Sequence, residues 1–132
     1  MRADELATYV LVPDQGEGSG TSYRKFKMRE ANALAAASVA ARLILRDGKI
    51  TGARVVLGAV APVPMLCPDA GAFLEGKTPS RRAFEGAAAA AHAGCLPISD
   101  VRCCEDFRRQ IIRTLTIRAL EEAASRAKEG RG

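Results

Sequence analysis

The sequence predicts an α+β domain in which an antiparallel sheet of three or four strands packs against about three C-terminal helices. Three observations support this class. A strand–turn–strand pattern surrounds Asp47-Gly48, the run Ala61-Pro62-Val63-Pro64 ends the strand-forming region, and helix-type apolar spacing follows. The chain has 132 residues and is 48% hydrophobic, which suffices for one domain with its own core.

Residues 1–37 are expected to contain two short strands, a linker and a short helix. Residues 6–12 combine β-forming and small residues up to Pro13, and residues 13–20 are a glycine-rich charged stretch with nothing to bury. Residues 23–28 alternate bulky and charged side chains, which places Tyr23, Lys25 and Lys27 on one side of a strand. Residues 30–37 are rich in helix formers and could add one or two helical turns.

The hairpin is the strongest local pattern. Residues 39–46 alternate, Asp47-Gly48 tolerates the positive φ angles of a type I′ turn, and residues 50–60 form the return strand. One face of the first strand is expected to be buried and consists of Ala41, Leu43 and Leu45. The other face is expected to be partly hydrated and consists of Arg42, Ile44 and Arg46.

Three helices are expected after the prolines. They cover residues 68–75, then a helix with Thr78 as N-cap and Pro79 at its first position, then residues 105–128. The alanine run at 87–91 adds helix propensity and little other information. The last helix carries an apolar stripe that must face a core: Phe107, Ile111, Ile112, Leu115, Ala119, Leu120 and Ala123. Its opposite side is expected to be solvated and carries Arg109, Arg113, Glu121, Glu122 and Arg126.

Composition and charge restrict the function classes. The formal net charge of +5 includes two basic clusters, one at Arg24, Lys25, Lys27 and Arg29 and one at Arg108, Arg109, Arg113 and Arg118. No zinc-finger, recognition-helix or RNA-platform motif accompanies them, so nucleic acid is not the expected partner. The N-terminal segment resembles neither a signal peptide nor a membrane span, and we expect a cytoplasmic protein with no membrane partner.

The titratable residues provide no complete catalytic or metal site. The cysteines at 67, 95, 103 and 104 lack CxxC spacing and a histidine pair, so we expect reduced, mostly buried thiols, with a redox role for Cys103-Cys104 left open. His92 has no partner at a suitable helical spacing. Helix starts or solvated turns account for the acidic residues, which are Asp69, Glu75, Asp100, Glu105 and Asp106. The glycines at 16–20 lack the Lys-Ser or Lys-Thr of a phosphate loop and are interpreted as a linker.

Several stretches occur in an order and spacing that match a known family. They are residues 22–27, 37–41, 57–64, 74–77, 97–102, 107–109 and 118–120. In this order they resemble the C-terminal domain of the FAD-binding (medium) flavoprotein subunit of molybdenum hydroxylases, the carbon monoxide dehydrogenase and xanthine dehydrogenase family. Residues 4–13 resemble the closing strand of the FAD-binding domain that precedes this domain in the family.

The resemblance implies three parts and an accessory function. Residues 1–21 are a residual strand and linker, 22–128 the CO dehydrogenase flavoprotein C-terminal-like domain, and 129–132 a frayed tail. In such enzymes electrons pass from a molybdenum cofactor through [2Fe-2S] clusters to FAD and an acceptor. The domain is therefore expected to pack on an FAD-binding domain or subunit, with iron–sulfur and molybdenum subunits as partners. The chain alone is expected to be inactive and to bind FAD only with the FAD-binding domain.

The resemblance also implies two cofactor-binding residues, Lys27 beside the isoalloxazine ring and Tyr23 packed next to it. Without the family, Lys27 is an ordinary exposed strand residue. Two departures affect the last helix, because Cys103-Cys104 replaces small or hydroxyl residues and Phe107 replaces a usual tyrosine. Two alternatives remain open: a freestanding basic module that docks an acidic protein or nucleic acid, and a homo-oligomer formed through residues 6–12.

Overall fold

The computed structural model describes residues 2–29, 34–101 and 103–130, which contain four strands and three helices. The strands are β1 Ser19–Lys27, β2 Ala35–Arg46, β3 Lys49–Gly58 and β4 Met65–Leu66. The helices are α1 Pro68–Leu74, α2 Arg81–Gly94 and α3 Glu105–Lys128. The strands form one antiparallel sheet in the order β1-β2-β3-β4. The predicted α+β class, with a hairpin-based sheet and three following helices, is confirmed.

The turn at Asp47-Gly48 determines the register of the central hairpin. Asp47 has φ 50° and Gly48 has φ 73°, so both central residues are left-handed as a type I′ turn requires. Arg46 then pairs with Lys49 and Leu43 with Ala53. The predicted burial pattern is confirmed at Leu43, which is fully buried, and at Arg46, which is exposed.

The helices cover one face of the sheet. Helix α3 packs on β1 and β2, α1 packs on β3, and α2 packs on α1 and α3. The largest fully buried side chains come from the strands and helices that meet there and include Leu43, Leu57, Leu74, Ile112 and Leu120. Burial of each contributes about 1.5–3 kcal/mol. In the part of the chain that the structure describes, no helix packs on the opposite face.

Alanines make up much of the buried surface of α2 and α3, which pack on each other. Ala87, Ala88 and Ala91 of α2 are fully buried, as are Ala119 and Ala123 of α3. The alanine run is therefore a packing surface, and the expectation that it carries little information was wrong. An alanine surface allows two helix backbones to approach more closely than larger side chains would.

Helix α2 begins two residues later than predicted. Its N-cap is Ser80, whose Oγ accepts a hydrogen bond of 3.3 Å from the amide of Ala83. Thr78 and Pro79 precede the cap. The helix starts later because two hydroxyl residues, Thr78 and Ser80, lie near its beginning and only Ser80 is placed to reach the Ala83 amide.

The strand predicted at residues 6–12 does not form. Leu6, Tyr9, Val10, Leu11 and Val12 are all exposed, between 74% and 86%. A strand is stabilised by a ladder with a neighbour, and this segment pairs with none of the described strands. Its apolar side chains are therefore exposed and are not packed against the rest of the described chain.

Two further boundaries near β1 and β2 differ from expectation. The glycine-rich stretch was expected to bury nothing, yet Ser19 and Gly20 belong to β1 and are buried. Of the predicted helix at 30–37, residues 30–33 lie outside the described residues, and Ala36 and Ala37 are fully buried in β2. Burial in the sheet outweighs the helix propensity of alanine, which is worth less than 1 kcal/mol per residue.

Helix α3 has the predicted bounds but buries more than the predicted stripe. Arg108 and Thr116 are buried in addition to Ile112, Leu115 and the alanines, while Phe107 remains 43% exposed. Helix α3 buries these additional side chains because it lies between the sheet and α2. None of the helices in the described ranges is long and apolar enough to cross a membrane.

Candidate functional site

Alternate residues of β1 attach the strand to α3. The Ser22 hydroxyl donates to Glu122 Oε2 at 3.0 Å, and Arg24 Nε lies 2.8 Å from the same oxygen. Further along, the ring of Phe26 meets that of Phe107 edge to face, with centroids 5.8 Å apart. Because side chains alternate along a strand, Tyr23 between Ser22 and Arg24 lies on the opposite, open face.

Tyr23 begins an apolar row across the open face. The register pairs it with Ala40, Ala40 with Val56, and Val56 with Leu66. Tyr23 is 60% exposed and Leu66 is 51% exposed at the two ends of the row. The open face therefore presents an apolar strip that no element of the described chain covers.

Cationic side chains border this strip. Arg42 and Arg54 are cross-strand partners in the next row, and Arg126 of α3 reaches the sheet edge, where its Nη1 donates to the Thr21 carbonyl at 2.7 Å. Together with Tyr23 they line a groove of about 450 Å³. An apolar floor with a guanidinium border suits a partner surface that is apolar at its centre and acidic at its rim.

Lys27 lies at the far end of β1. It pairs with Ala35 just after a register shift between Phe26 and Lys27, and its side chain is exposed. Lys27 is four positions after Tyr23, or about 13 Å along the strand. The structure thus places both predicted residues on one strand but does not bring them into contact. Tyr23 and Lys27 occupy two separate positions along β1.

Arg108 is a buried polar residue that the sequence interpretation assigned to a basic surface cluster. Its side chain is 4% exposed, and Nη2 lies 2.7 Å from Asp100 Oδ1. Nη1 donates to two main-chain carbonyls, Ala36 at 2.6 Å and Ala59 at 3.0 Å. The expectation that Asp100 lies in a solvated turn was therefore wrong, because this carboxylate balances a buried guanidinium.

The bonding of Arg108 is incomplete. Nε is buried with no acceptor among the described residues, and Nη2 is close enough to Asp100 for an ion pair but is not aligned as a hydrogen bond. An unsatisfied buried donor costs about 1–3 kcal/mol. The spacing of Arg108 from Ile112 and Leu115 could have revealed its burial, since residues i, i+4 and i+7 share one helix face.

Arg109 and Cys95 lie together at the C-terminal end of α2. Arg109, expected to be solvated, is half-buried and donates to the Cys95 carbonyl at 2.8 Å and the His92 carbonyl at 3.4 Å. Burial raises the pKa of the Cys95 thiol, and the nearby Arg109 charge only partly opposes this. Among residues 2–29, 34–101 and 103–130, no group of three His, Cys, Asp or Glu is placed to hold a metal ion.

Comparison with known proteins identifies the family. Residues 21–123 match the CO dehydrogenase flavoprotein C-terminal domain. The chain belongs to this family. It is 34% identical over 124 residues to the carbon monoxide dehydrogenase medium chain of Afipia carboxidovorans, covering 94% of this chain and 43% of that one. It is 25% identical over 122 residues to a putative xanthine dehydrogenase FAD-binding subunit of Escherichia coli K12, covering 92% and 42%.

Solved structures of the family share the fold. The carbon monoxide dehydrogenase of Hydrogenophaga pseudoflava that lacks the Mo-pyranopterin moiety of its cofactor matches with a TM-score of 0.82 and 33% identity, over 87% of this chain and 40% of that one. Quinoline 2-oxidoreductase from Pseudomonas putida 86 matches with a TM-score of 0.78 and 28% identity, over 83% and 38%. The chain thus spans less than half the length of these relatives.

The start of α3 carries the two residues that were expected to depart from the family pattern. Cys104 occupies the N-cap and makes no side-chain capping bond with the described residues. Phe107 packs its ring on that of Phe26. The bounds of α3 are as predicted.

Proposed function

We propose that this domain packs through its open sheet face on an FAD-binding domain and supports electron transfer from iron–sulfur clusters through FAD to an acceptor. The observation that carries the proposal is the uncovered apolar row from Tyr23 to Leu66 with its cationic border. A sheet face of this kind is normally covered in a folded assembly. The chain's family is one of oxidoreductase flavoprotein domains, which names the class of partner that would cover it.

The residues of this chain fit part of an FAD site. FAD needs a backbone cradle for its diphosphate, usually a glycine-rich turn that opens a helix. Here the glycines of residues 16–20 lead into β1, and α2 and α3 follow the N-cap residues Ser80 and Cys104 without such a turn. We therefore propose that the FAD-binding domain holds the dinucleotide and that Tyr23 and Lys27 contact only the ring region.

Lys27 would contribute electrostatically. FAD, when bound, supplies two-electron redox chemistry. A lysine ammonium held close to the ring favours added negative charge there and so raises the reduction potential. Each 1.4 kcal/mol of differential stabilisation corresponds to about 30 mV for a two-electron couple. Tyr23 would supply an apolar surface with a hydroxyl at its edge.

Two measurements test this proposal. The chain alone should be colourless between roughly 350 and 500 nm, because its described residues form no diphosphate cradle of the kind that tight dinucleotide binding needs. In a flavoprotein that carries this domain, Lys27→Gln should lower the flavin midpoint potential by tens of millivolts, of the order of 30 mV. Lys25→Gln, on the same strand, is the matched control and should have a smaller effect. A stoichiometric flavin in the isolated chain, or equal potentials for both variants, would contradict the proposal.

The assembly is proposed on the same basis. The relatives are named as a medium chain and as an FAD-binding subunit of dehydrogenases. We propose iron–sulfur and molybdenum subunits as the further partners, in the cytoplasm, with the molybdenum cofactor and the clusters held by those subunits. Copurification with such subunits after coexpression tests this, and failure of the domain to enter a complex would count against it.

Residues 6–12 have a proposed place in the same assembly. Their exposed apolar side chains and unpaired backbone suit the closing strand of an FAD-binding domain, followed by a short link to β1. The competing possibility is pairing between two copies of the chain. Light scattering separates the two, since self-pairing predicts a dimer that becomes a monomer when residues 1–13 are deleted.

The alternative of a basic module for nucleic acid or an acidic protein loses two of the four arginines of its second cluster, while Arg113 and Arg118 remain exposed. Arg108 is buried and Arg109 is bonded to main-chain carbonyls, so neither belongs to a free basic surface. Arg24 of the other cluster pairs with Glu122. Retention on DNA that falls steeply with salt would restore this alternative.

A further inference from the structure

The end of the sheet that carries Lys27 is irregular in two strands. Lys27 pairs with Ala35 and Phe26 with Ala37, so Ala36 of β2 has no counterpart in β1. Just beyond β3, Ala59 has a φ of 61°, a left-handed conformation that is uncommon for residues other than glycine. Bulges and left-handed residues persist where surrounding structure restrains them.

One buried side chain restrains both irregular residues. Nη1 of Arg108 donates to the Ala36 carbonyl at 2.6 Å and to the Ala59 carbonyl at 3.0 Å. The guanidinium is oriented in turn by Asp100, 2.7 Å from Nη2. Arg108 therefore links the bulge in β2, the residue after β3 and the loop before α3 through a single planar group.

A neighbouring contact extends this connection to β1. Phe107, adjacent to Arg108 at the start of α3, packs edge to face on Phe26 at 5.8 Å between centroids. Phe26 immediately precedes Lys27. The first turn of α3 is thus attached to the end of the sheet at two points, the Phe26 ring in β1 and the Ala36 carbonyl at the bulge in β2.

We infer that Arg108 is a positioning residue. By holding the Ala36 and Ala59 carbonyls it fixes the end of the sheet where Lys27 projects from β1. It thereby determines how closely Lys27 approaches the flavin. The inference rests on the proposed function of Lys27. A lysine at position 108 could not replace the arginine, because an ammonium on a single stem lacks the planar fork that engages several acceptors at once. Arg108→Lys therefore keeps the charge and removes the geometry.

Hydrogen exchange of the full chain tests the positioning without flavin. In Arg108→Lys, amides of residues 24–27 and 35–39 should exchange about tenfold faster, while amides flanking Asp47-Gly48 should change by less than about twofold. A uniform change along the sheet, or none, would overturn the inference. If this variant does not fold, Asp100→Asn removes only the charge that orients the guanidinium and should give the same local pattern at smaller size.

A double-mutant cycle on the flavin midpoint potential, in a flavoprotein that carries the domain, tests the connection to Lys27. Arg108→Lys should shift the potential in the same direction as Lys27→Gln and should add nothing when Lys27 is already Gln. An equal shift in both backgrounds would show that Arg108 does not act through Lys27. If Lys27→Gln itself has no effect, the proposed function fails, and the exchange pattern alone still decides whether Arg108 restrains the strand end.

Discussion

Gly20 of β1 lies against Ala123 of α3 so closely that a Cβ on the glycine would be 2.1 Å from the Ala123 carbonyl oxygen. The same Cβ would be 2.4 Å from the amide nitrogen of Ala127. Both neighbours are helix backbone atoms, which cannot rotate away as a side chain would. The approach of the edge strand to the longest helix therefore depends on this glycine.

Gly20→Ala should destabilise the fold by about 3 kcal/mol, because β1 must move away from α3 to admit the methyl group. Chemical denaturation should show a lower midpoint with a similar slope. Gly94→Ala is the control, since its Cβ would meet only Cys67 Sγ at 3.8 Å at the end of α2. The control should be neutral or slightly stabilising, and equal losses for both variants would refute the close-approach argument.

Asp100→Ala should destabilise the fold by about 2 kcal/mol, because it leaves the Arg108 guanidinium without its balancing charge. The loss should be smaller than for a fully buried pair, because the Asp100 side chain is 21% exposed and its site admits water. The comparison is Glu121→Ala, which breaks the exposed pair with Arg81 at 2.8 Å. That variant should leave the unfolding midpoint nearly unchanged. Similar midpoints for Asp100→Ala and Glu121→Ala would show that the buried pair contributes no more than a surface pair.

Substitutions at the two central positions of the type I′ turn should differ in their effect on stability. Gly48→Ala should destabilise by about 1 kcal/mol, since alanine is strained at φ 73°. Asp47→Asn, at φ 50°, should stay within about 0.5 kcal/mol because asparagine tolerates the left-handed region. Thermal unfolding of the two variants measures the difference, and a turn of another type would reverse or abolish it.

The Cys95 thiol should make stability fall with alkaline pH. Burial raises its pKa in the folded chain above the ordinary value of 9.0. Well below pH 9.0 the thiol is protonated in both states, and as pH rises through 9.0 the unfolded chain releases its proton first, which favours unfolding. Denaturation curves at pH 8 and near pH 10 should therefore show a smaller loss in Cys95→Ala than in the parent chain. Equal losses would remove Cys95 as a cause.

Elements with short-range determinants were predictable from the sequence. Asp47-Gly48 specifies its own turn, and α3 repeats apolar residues over many turns, so their types and limits were confirmed. The N-cap of α2 was misplaced because Thr78 and Ser80 are both suitable hydroxyl residues and only the fold decides which one reaches the Ala83 amide.

The candidate site was predictable only in part. Placement of Tyr23 and Lys27 on one strand followed from alternation, and their cofactor role remains a prediction that came from family resemblance. Arg108 was missed because an arginine in a run of charges is normally solvated, whereas this one meets two carbonyls from segments 49 and 72 residues away.

By itself the sequence determined the hairpin, the three helices that follow the sheet, and the match to the family, because these depend on residue patterns within one segment or on their order along the chain. Only the tertiary structure decided that Gly20 must be small, that Arg108 is buried, and that the described residues leave one sheet face uncovered. Those properties depend on which distant segment lies opposite each residue, and a local sequence pattern does not specify that segment.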